Sequence, residues 1–431
     1  MLPSHPAPTG PRVVAFIVGA LVVGASLVAA APASADAPYD PVCPSAHLYK
    51  GIELVPTPAL VPYDRDATLS VSAGALPMGV TLTGDAATDT PYVYAGTPTM
   101  TGTSTFTVKA VFEDQPSKTI ACKVEVAELP APARIQGTDR FDQAAKVVAS
   151  KYTTAETVYL ASGEVFADAL SAGSVAGVHG APLLLTKKGE LPAVTKTALT
   201  ALAPKNIVVV GGPATITPAV LDGLKRDFAT AEVVRIAGAD RFAVSRALIE
   251  DAMFGVPSSS YVYLADGRNF PDALSATPAA VSVNGPVLLL NGGAGELSPA
   301  EIALIDGLGV AKVRIAGGLA SVSQGIQDQL EDRKLDVSRS AGADRFEAAV
   351  NVNAEAFAAA DTVYLASGEV FPDALSAGPI AGENSSPIFL SRSGCIPPAV
   401  LDAIERLAPT HIVILGGTAT LSSDIDHLKS C

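Results

Sequence analysis

The sequence contains no tryptophan, and aromatic residues make up only 5% of its 431 positions. A sugar-binding face built from stacked aromatic platforms is therefore not expected. Basic residues are also scarce: 29 Lys and Arg against 43 Asp and Glu give a formal net charge of -14. Nucleic-acid binding needs a basic footprint that displaces phosphate counterions, and this balance runs the other way. It equally excludes adhesion to an anionic surface by bulk charge. Charged residues are 17% and hydrophobic residues 48%, so the chain is no disordered acidic tail. Catalytic signatures are missing too. His5, His47, His179, His411 and His427 form no H-E-x-x-H pattern, and no C-x-x-C occurs. There is no G-x-S-x-G elbow and no G-x-x-x-x-G-K-[ST] phosphate loop. Glu164 with Asp168, echoed by Glu369 with Asp373, imitates a glycosidase pair. The equivalent stretch at Arg268-Asn269 breaks that pattern. No enzyme activity, cofactor or metal is expected.

What is present begins with an export signal. Arg12 precedes an uncharged apolar run from Val13 to Ala30, and Ala33-Ser34-Ala35 offers small residues for cleavage before Asp36. The alternative is an uncleaved anchor, since the run approaches the length of a membrane helix. The reading adopted is a signal peptide over 1–35, a secreted chain and no transmembrane span after cleavage. Export makes the four cysteines legible as disulfides. Of three possible pairings, the local one, Cys43 with Cys122 and Cys395 with Cys431, is the simplest. Each closed loop would contribute roughly 4 kcal/mol on chain entropy alone.

Comparing the chain with itself sets the architecture. Gly137-Thr138-Asp139-Arg140-Phe141 recurs from Gly238 and from Gly342. LASGEVFADALSAG from Leu160 recurs as LADGRNFPDALSAT from Leu264 and LASGEVFPDALSAG from Leu365. Short apolar strands follow Pro182, Pro286 and Pro387, and IVVVGG from Ile207 recurs as VRIAGG from Val313 and IVILGG from Ile412. Each copy spans about 100 residues, enough for its own core. In the first copy, strands are expected at Arg134–Gln136, Thr157–Ala161, Leu183–Thr186 and Ile207–Val210. Helices are expected over Asp139–Lys151, Phe166–Val178, Pro192–Leu202 and Pro218–Phe228. Near-continuous apolar strands alternating with helices predict α/β folding with parallel sheets covered on both faces. The expectation is three tandem open parallel-sheet (Rossmann/toprim-like) domains, at 134–231, 232–338 and 339–431, rather than a solenoid.

The segment 39–128 is different. Alternation in Ser104–Val111 and Lys118–Val126 predicts a small antiparallel β-sandwich. LPMGVTL from Leu76 and AGTPTMTGTSTFTVKA from Ala95 resemble the bacterial immunoglobulin-like (Ig-like) domain, which implies a spacer or adhesive module. Residues 129–133, Leu-Pro-Ala-Pro-Ala, form a stiff linker.

The three G-x-D-R-F, L-A-[SD]-G-x-x-F-x-D-A-L and strand-Gly-Gly sets resemble the type 2 cell-wall-binding repeat of Gram-positive surface proteins. The resemblance implies non-covalent attachment to a cell-wall polymer, either an anionic secondary polymer or a peptidoglycan-associated glycan. It also gives weight to a short I-L-L-type strand, here Leu183–Leu185, Val287–Leu289 and Ile388–Leu390. The second copy departs at Asp266, Arg268 and Asn269, which puts equal binding by all three copies in doubt.

Open α/β sheets bind ligands beyond the carboxyl ends of their strands. The repeated polar residues fall there: Arg140, Arg241 and Arg345; Asp168, Asp272 and Asp373; and the pairs Gly211-Gly212, Gly317-Gly318 and Gly416-Gly417. Helix N-termini at this edge suit phosphate or carboxylate, and each Arg offers a bidentate contact. The structural alternative stays open beside this one. Asp139, Asp240 and Asp344 stand where helix caps belong, and each Arg could pair with the Asp of its own copy. Millimolar contacts, about 4 kcal/mol each, would suffice if linked. The favoured reading is a wall-anchored surface protein displaying the Ig-like module. The alternatives are an accessory of a cell-wall amidase and a soluble extracellular ligand-binding protein.

Overall fold

The computed structural model describes residues 39–62, 66–113 and 115–431, and Tyr39–Cys431 form one compact unit. The leader expected over residues 1–35 lies outside the described residues. Among those residues no helix is long and apolar enough to cross a membrane.

The N-terminal module has a four-stranded sheet in the order His47–Tyr49, Lys118–Ala127, Gly102–Val111 and Thr68–Gly74. A three-stranded sheet follows the order Leu54–Pro58, Thr90–Gly96 and Val80–Asp85. The alternating residues Phe106, Val108, Ala110, Cys122, Val124 and Val126 are buried in one cluster with Leu54, Val80 and Tyr94 of the second sheet. Pairing is antiparallel except for His47–Tyr49, which runs parallel to Lys118–Ala127. Cys43 is bonded to Cys122 with sulfurs 2.04 Å apart, and Cys395 to Cys431 at 2.15 Å.

The repeat region contains three four-stranded sheets, every pair parallel. Strand and helix positions follow the apolar pattern closely; the first copy has strands at Thr157–Ser162, Leu183–Thr186 and Asn206–Val210 and helices at Arg140–Ala149, Ala167–Val178, Ala193–Leu202 and Pro218–Asp227. Sheet membership corrects the expectation of discrete domains. The first sheet runs Leu183–Thr186, Thr157–Ser162, Asn206–Val210, Glu232–Ile236, so its last strand comes from the opening of the second repeat. Asp336–Ser340 completes the second sheet in the same way. The strand expected over Arg134–Gln136 in the first sheet forms over Ala133–Ile135 and instead completes the third sheet beside His411–Leu415. The strand preceding each G-x-D-R-F motif thus joins the sheet of the preceding repeat, and the first repeat serves as successor to the third. The physical reason is that a strand's own pattern says it is buried but not which sheet buries it; the pairing partner is decided by distant contacts.

Those contacts close a ring. Helices Ala167–Val178, Pro271–Ser282 and Ala377–Glu383 pack against one another at its centre. The packing works by unequal sizes. A Cβ on Gly177 would stand 2.5 Å from Val281 Cγ2, and one on Gly382 2.3 Å from Val281 Cβ. One valine from the second repeat therefore fills the space that two glycines leave. Phe166, Phe270 and Phe371 form a triad at the start of these helices, with ring centroids 5.6 to 6.1 Å apart. Buried polar bonds also cross between repeats: Val287 N–H donates to Ser174 Oγ (2.9 Å), and Tyr159 Oη to the Phe254 carbonyl (2.7 Å).

Candidate binding site at the repeat junctions

Each G-x-D-R-F motif begins a helix. Asp139 Oδ1 accepts from the N–H groups of Phe141 and Asp142, both at 2.9 Å; Asp240 accepts from Ala243, and Asp344 from Phe346 and Glu347. These aspartates are N-caps. The caps take up one or two of the free N–H groups at the start of each of these three helices, whereas the helices Ala167–Val178 and Pro271–Ser282 carry no side-chain cap.

The arginines follow one geometry. Nη1 of Arg140 donates to the Gly163 carbonyl (2.7 Å), Arg241 to Gly267 (2.8 Å) and Arg345 to Gly368 (2.6 Å). Each bond stays within one repeat and fixes the guanidinium above the carboxyl end of the second strand. The guanidinium then reaches across the junction. Arg140 lies over the Phe371 ring at 5.9 Å and Arg241 over Phe166 at 5.5 Å. Both are within cation–π range.

The aspartates face these arginines from the preceding repeat. Burial raises the Asp168 pKa, opposed by the hydroxyl of Thr215 (2.9 Å) and the charge of Arg241. Burial likewise raises Asp272, where Ser321 and Arg345 oppose it and Asp266 adds to it. Asp373 is raised by burial and opposed by Thr420 and Arg140. The Arg–Asp relationship is thus between neighbouring repeats, not within one copy as the structural alternative had it.

The Gly pairs divide by role. Gly211, Gly317 and Gly416 have φ of +119°, +105° and +108°, and a Cβ on them would lie 2.3 to 2.4 Å from the aspartate Oδ2. They are needed for the turn and for the approach of the acid. Gly212, Gly318 and Gly417 meet nothing closer than 3.8 Å. The residues therefore group as Asp168, Gly211 and Gly212 with Arg241; Asp272, Gly317 and Gly318 with Arg345; and Asp373, Gly416 and Gly417 with Arg140. At the second of these junctions a cleft of about 320 Å³ opens, with Asn269, Asp272, Gly318, Ser321, Asp344 and Arg345 among its walls.

Other expected features have different roles. The I-L-L-type strands are fully buried and make core rather than contact surface. Glu164 accepts from the Lys188 N–H (3.0 Å) while Asp168 accepts from Thr215, so the two acids engage different partners. His179 bonds the Gly255 carbonyl, and His411 bonds Thr410. Among the described residues no cluster of His, Cys, Asp and Glu could hold a metal. A further arginine series lies outside the repeated motifs. Arg134, Arg235 and Arg339 lie on the exchanged strands and donate to the carbonyls of Gly416, Gly211 and Gly317 at 2.8, 2.8 and 3.1 Å. Their signal was an Arg three residues ahead of each motif Gly.

The family model of the cell wall binding domain 2 matches residues 134–221, 235–327 and 339–426. The N-acetylmuramoyl-L-alanine amidase LytC of Bacillus subtilis is 26% identical over 68% of this chain and 56% of its own length. The amidase enhancer of the same organism is 26% identical over 68% of this chain and 39% of its own length. The chain therefore spans about half or less of these relatives. Among solved structures, Cwp6 from Clostridium difficile aligns with a TM-score of 0.63 at 19% identity, covering 89% of this chain and 67% of Cwp6. Cwp8 from Clostridium difficile aligns at 0.61 and 22% identity, covering 76% of this chain and 58% of Cwp8. At these identities the structural likeness speaks for the fold alone.

Proposed function

The chain belongs to the cell wall binding domain 2 family, and from that premise we propose that it is an exported, non-catalytic surface protein held non-covalently on an anionic wall polymer. Cell-wall association is the part that the repeats and the relatives support together. The finer reading rests on one observation. Each repeat junction sets an arginine, anchored through an N–H to a backbone carbonyl, beside a neighbour's aspartate, buried at Asp168 and half-buried at Asp272 and Asp373, at the carboxyl edge of a sheet. The remaining guanidinium donors suit phosphate or carboxylate on a polymer. With a net charge of -14, such local sites are the means of holding an anion that this chain has.

The functional units on this reading are repeats at 134–231, 232–338 and 339–431, with an Ig-like β-sandwich at 39–128 displayed from them. Sedimentation with bacterial walls, intact and stripped of secondary polymers, tests the proposal. The protein should pellet with intact walls and stay soluble with stripped ones; equal pelleting with both would reject the anionic polymer.

A second reading is favoured by the likeness to an amidase enhancer: the chain would assist a separate wall amidase. A zymogram of such an amidase with and without the protein separates the two.

A further inference from the structure

We infer that the three junctions are not equivalent, and that the one between the second and third repeats is the site that takes a wall-glycan unit bearing an acidic group. This rests on the wall-binding reading and narrows it.

Three positions control the space at each junction, and at the second–third junction each carries a small or polar side chain. Ala348 stands six residues after its motif Gly, where the other copies have Val244 and Gln143. Val244 is buried, and Gln143 fills its place by accepting from Gly137 N–H (2.7 Å) and donating to the Ile135 carbonyl (3.0 Å). Ser321 partners Asp272 where Thr215 and Thr420 partner the other aspartates. Asn269 replaces Val165 and Val370, which are 43% and 44% exposed. The cleft of about 320 Å³ lies where these three substitutions meet. Small-molecule sites begin at roughly 300 Å³, so a monosaccharide-sized group is the fitting occupant.

The second copy's departures from its siblings serve this cleft. Asp266, nearly fully buried where Ser162 and Ser367 stand in the other copies, accepts from Arg268 Nε at 2.8 Å. It also accepts from the Gly292 N–H (3.3 Å) and the Asn269 amide (3.4 Å). The acid thereby ties down the loop that presents Asn269. Arg345, exposed and bonded through one N–H, supplies donors for a carboxylate or phosphate. Asn269 offers an amide to hydroxyl groups, and Phe270 lends an apolar wall. Asp272 and Asp344 also line the cleft, so they face the sugar hydroxyls while the acidic substituent sits at the Arg345 end; the stated chemistry is thus a sugar with an acidic substituent. Multivalency then resides in the repeating polymer rather than in three equal protein sites.

The chain's own repeats supply the test. The triple variant Asn269→Val, Ser321→Thr, Ala348→Val installs the residues of the first junction, a set already accommodated by this fold. The reverse variant Val165→Asn, Thr215→Ser, Val244→Ala opens the first junction. N-acetylglucosamine 6-phosphate, with N-acetylglucosamine as the uncharged control, is titrated by calorimetry, and sedimentation with intact walls is measured in parallel. Expected are one site in the native chain, at least tenfold weaker binding of the sugar phosphate and of walls by the filled variant, and two sites in the opened variant. Undiminished sedimentation of the filled variant with walls, or three equal sites in the native chain, overturns the inference and leaves wall binding standing. Failure of the native chain to sediment with walls overturns both.

Discussion

Gly416 donates its backbone N–H to the carbonyl of Ile135 at 2.9 Å, joining the last sheet to the strand that opens the repeat region. The equivalent bonds, Gly211 to Ile236 and Gly317 to Ser340, are also 2.9 Å. The closure is therefore the same joint used three times.

Arg134 secures that joint. It donates to the Gly416 and Ser422 carbonyls (2.8 and 3.2 Å) and to Asp426 (2.9 Å). Arg134→Ala should lower stability by about 2–3 kcal/mol, as expected for losing charged hydrogen bonds to part-buried partners. Chemical denaturation measures the loss. Amide exchange should quicken at residues 411–415, in the third repeat, rather than at residues 157–162 in the first.

The first glycine of each pair should be far less replaceable than the second. Gly211→Ala combines positive φ with a Cβ only 2.4 Å from Asp168 Oδ2, and should cost at least about 1–3 kcal/mol. Gly212→Ala meets nothing nearer than 3.9 Å and should leave the melting temperature almost unchanged. Thermal unfolding of the two variants side by side is the check.

At the ring's centre, Gly177→Val should overpack against Val281 and cost about 1–3 kcal/mol or more. Adding Val281→Gly moves the bulk to the facing helix and should restore part of the loss. A double-mutant cycle reads the coupling directly, and additivity would contradict the packing account.

Alternating Phe106, Val108 and Ala110 marked a half-buried strand, and the run Leu183–Leu185 a fully buried one, because local burial leaves a local pattern. The fate of Ala133–Ile135 was not legible, since the same three residues would suit either sheet. Val281 looked like any core residue, and its role emerged only against Gly177 and Gly382 on other helices. Asp168, Asp272 and Asp373 were legible as candidates, but their partnership with the next repeat's arginine depends on ring closure.

The N-terminal module meets the last repeat at an acidic contact whose stability should depend on pH. The Glu405 pKa is pushed up to about 7 from 4.5, first by burial and also by Asp402, with a bond from the Tyr49 backbone opposing. Asp402 is itself raised, by burial first and by Glu53, against Arg406. Because the folded state holds its proton more tightly than the unfolded one, stability should fall as pH rises from about 4.5 to about 7. The full penalty remains above that range. Glu405→Gln should flatten this part of the stability profile, measured as melting temperature against pH. An unchanged slope would contradict the burial of that carboxyl.

The most direct test of the whole account is sedimentation with intact walls by a chain carrying Arg140→Gln, Arg241→Gln and Arg345→Gln together. Glutamine removes the charge offered to the polymer and, being shorter, also gives up the Nη1 bonds to the Gly163, Gly267 and Gly368 carbonyls, so folding is checked first by circular dichroism and size-exclusion chromatography. The account predicts a folded, monodisperse protein whose apparent affinity for walls falls at least tenfold. Native-level sedimentation by that variant would contradict it.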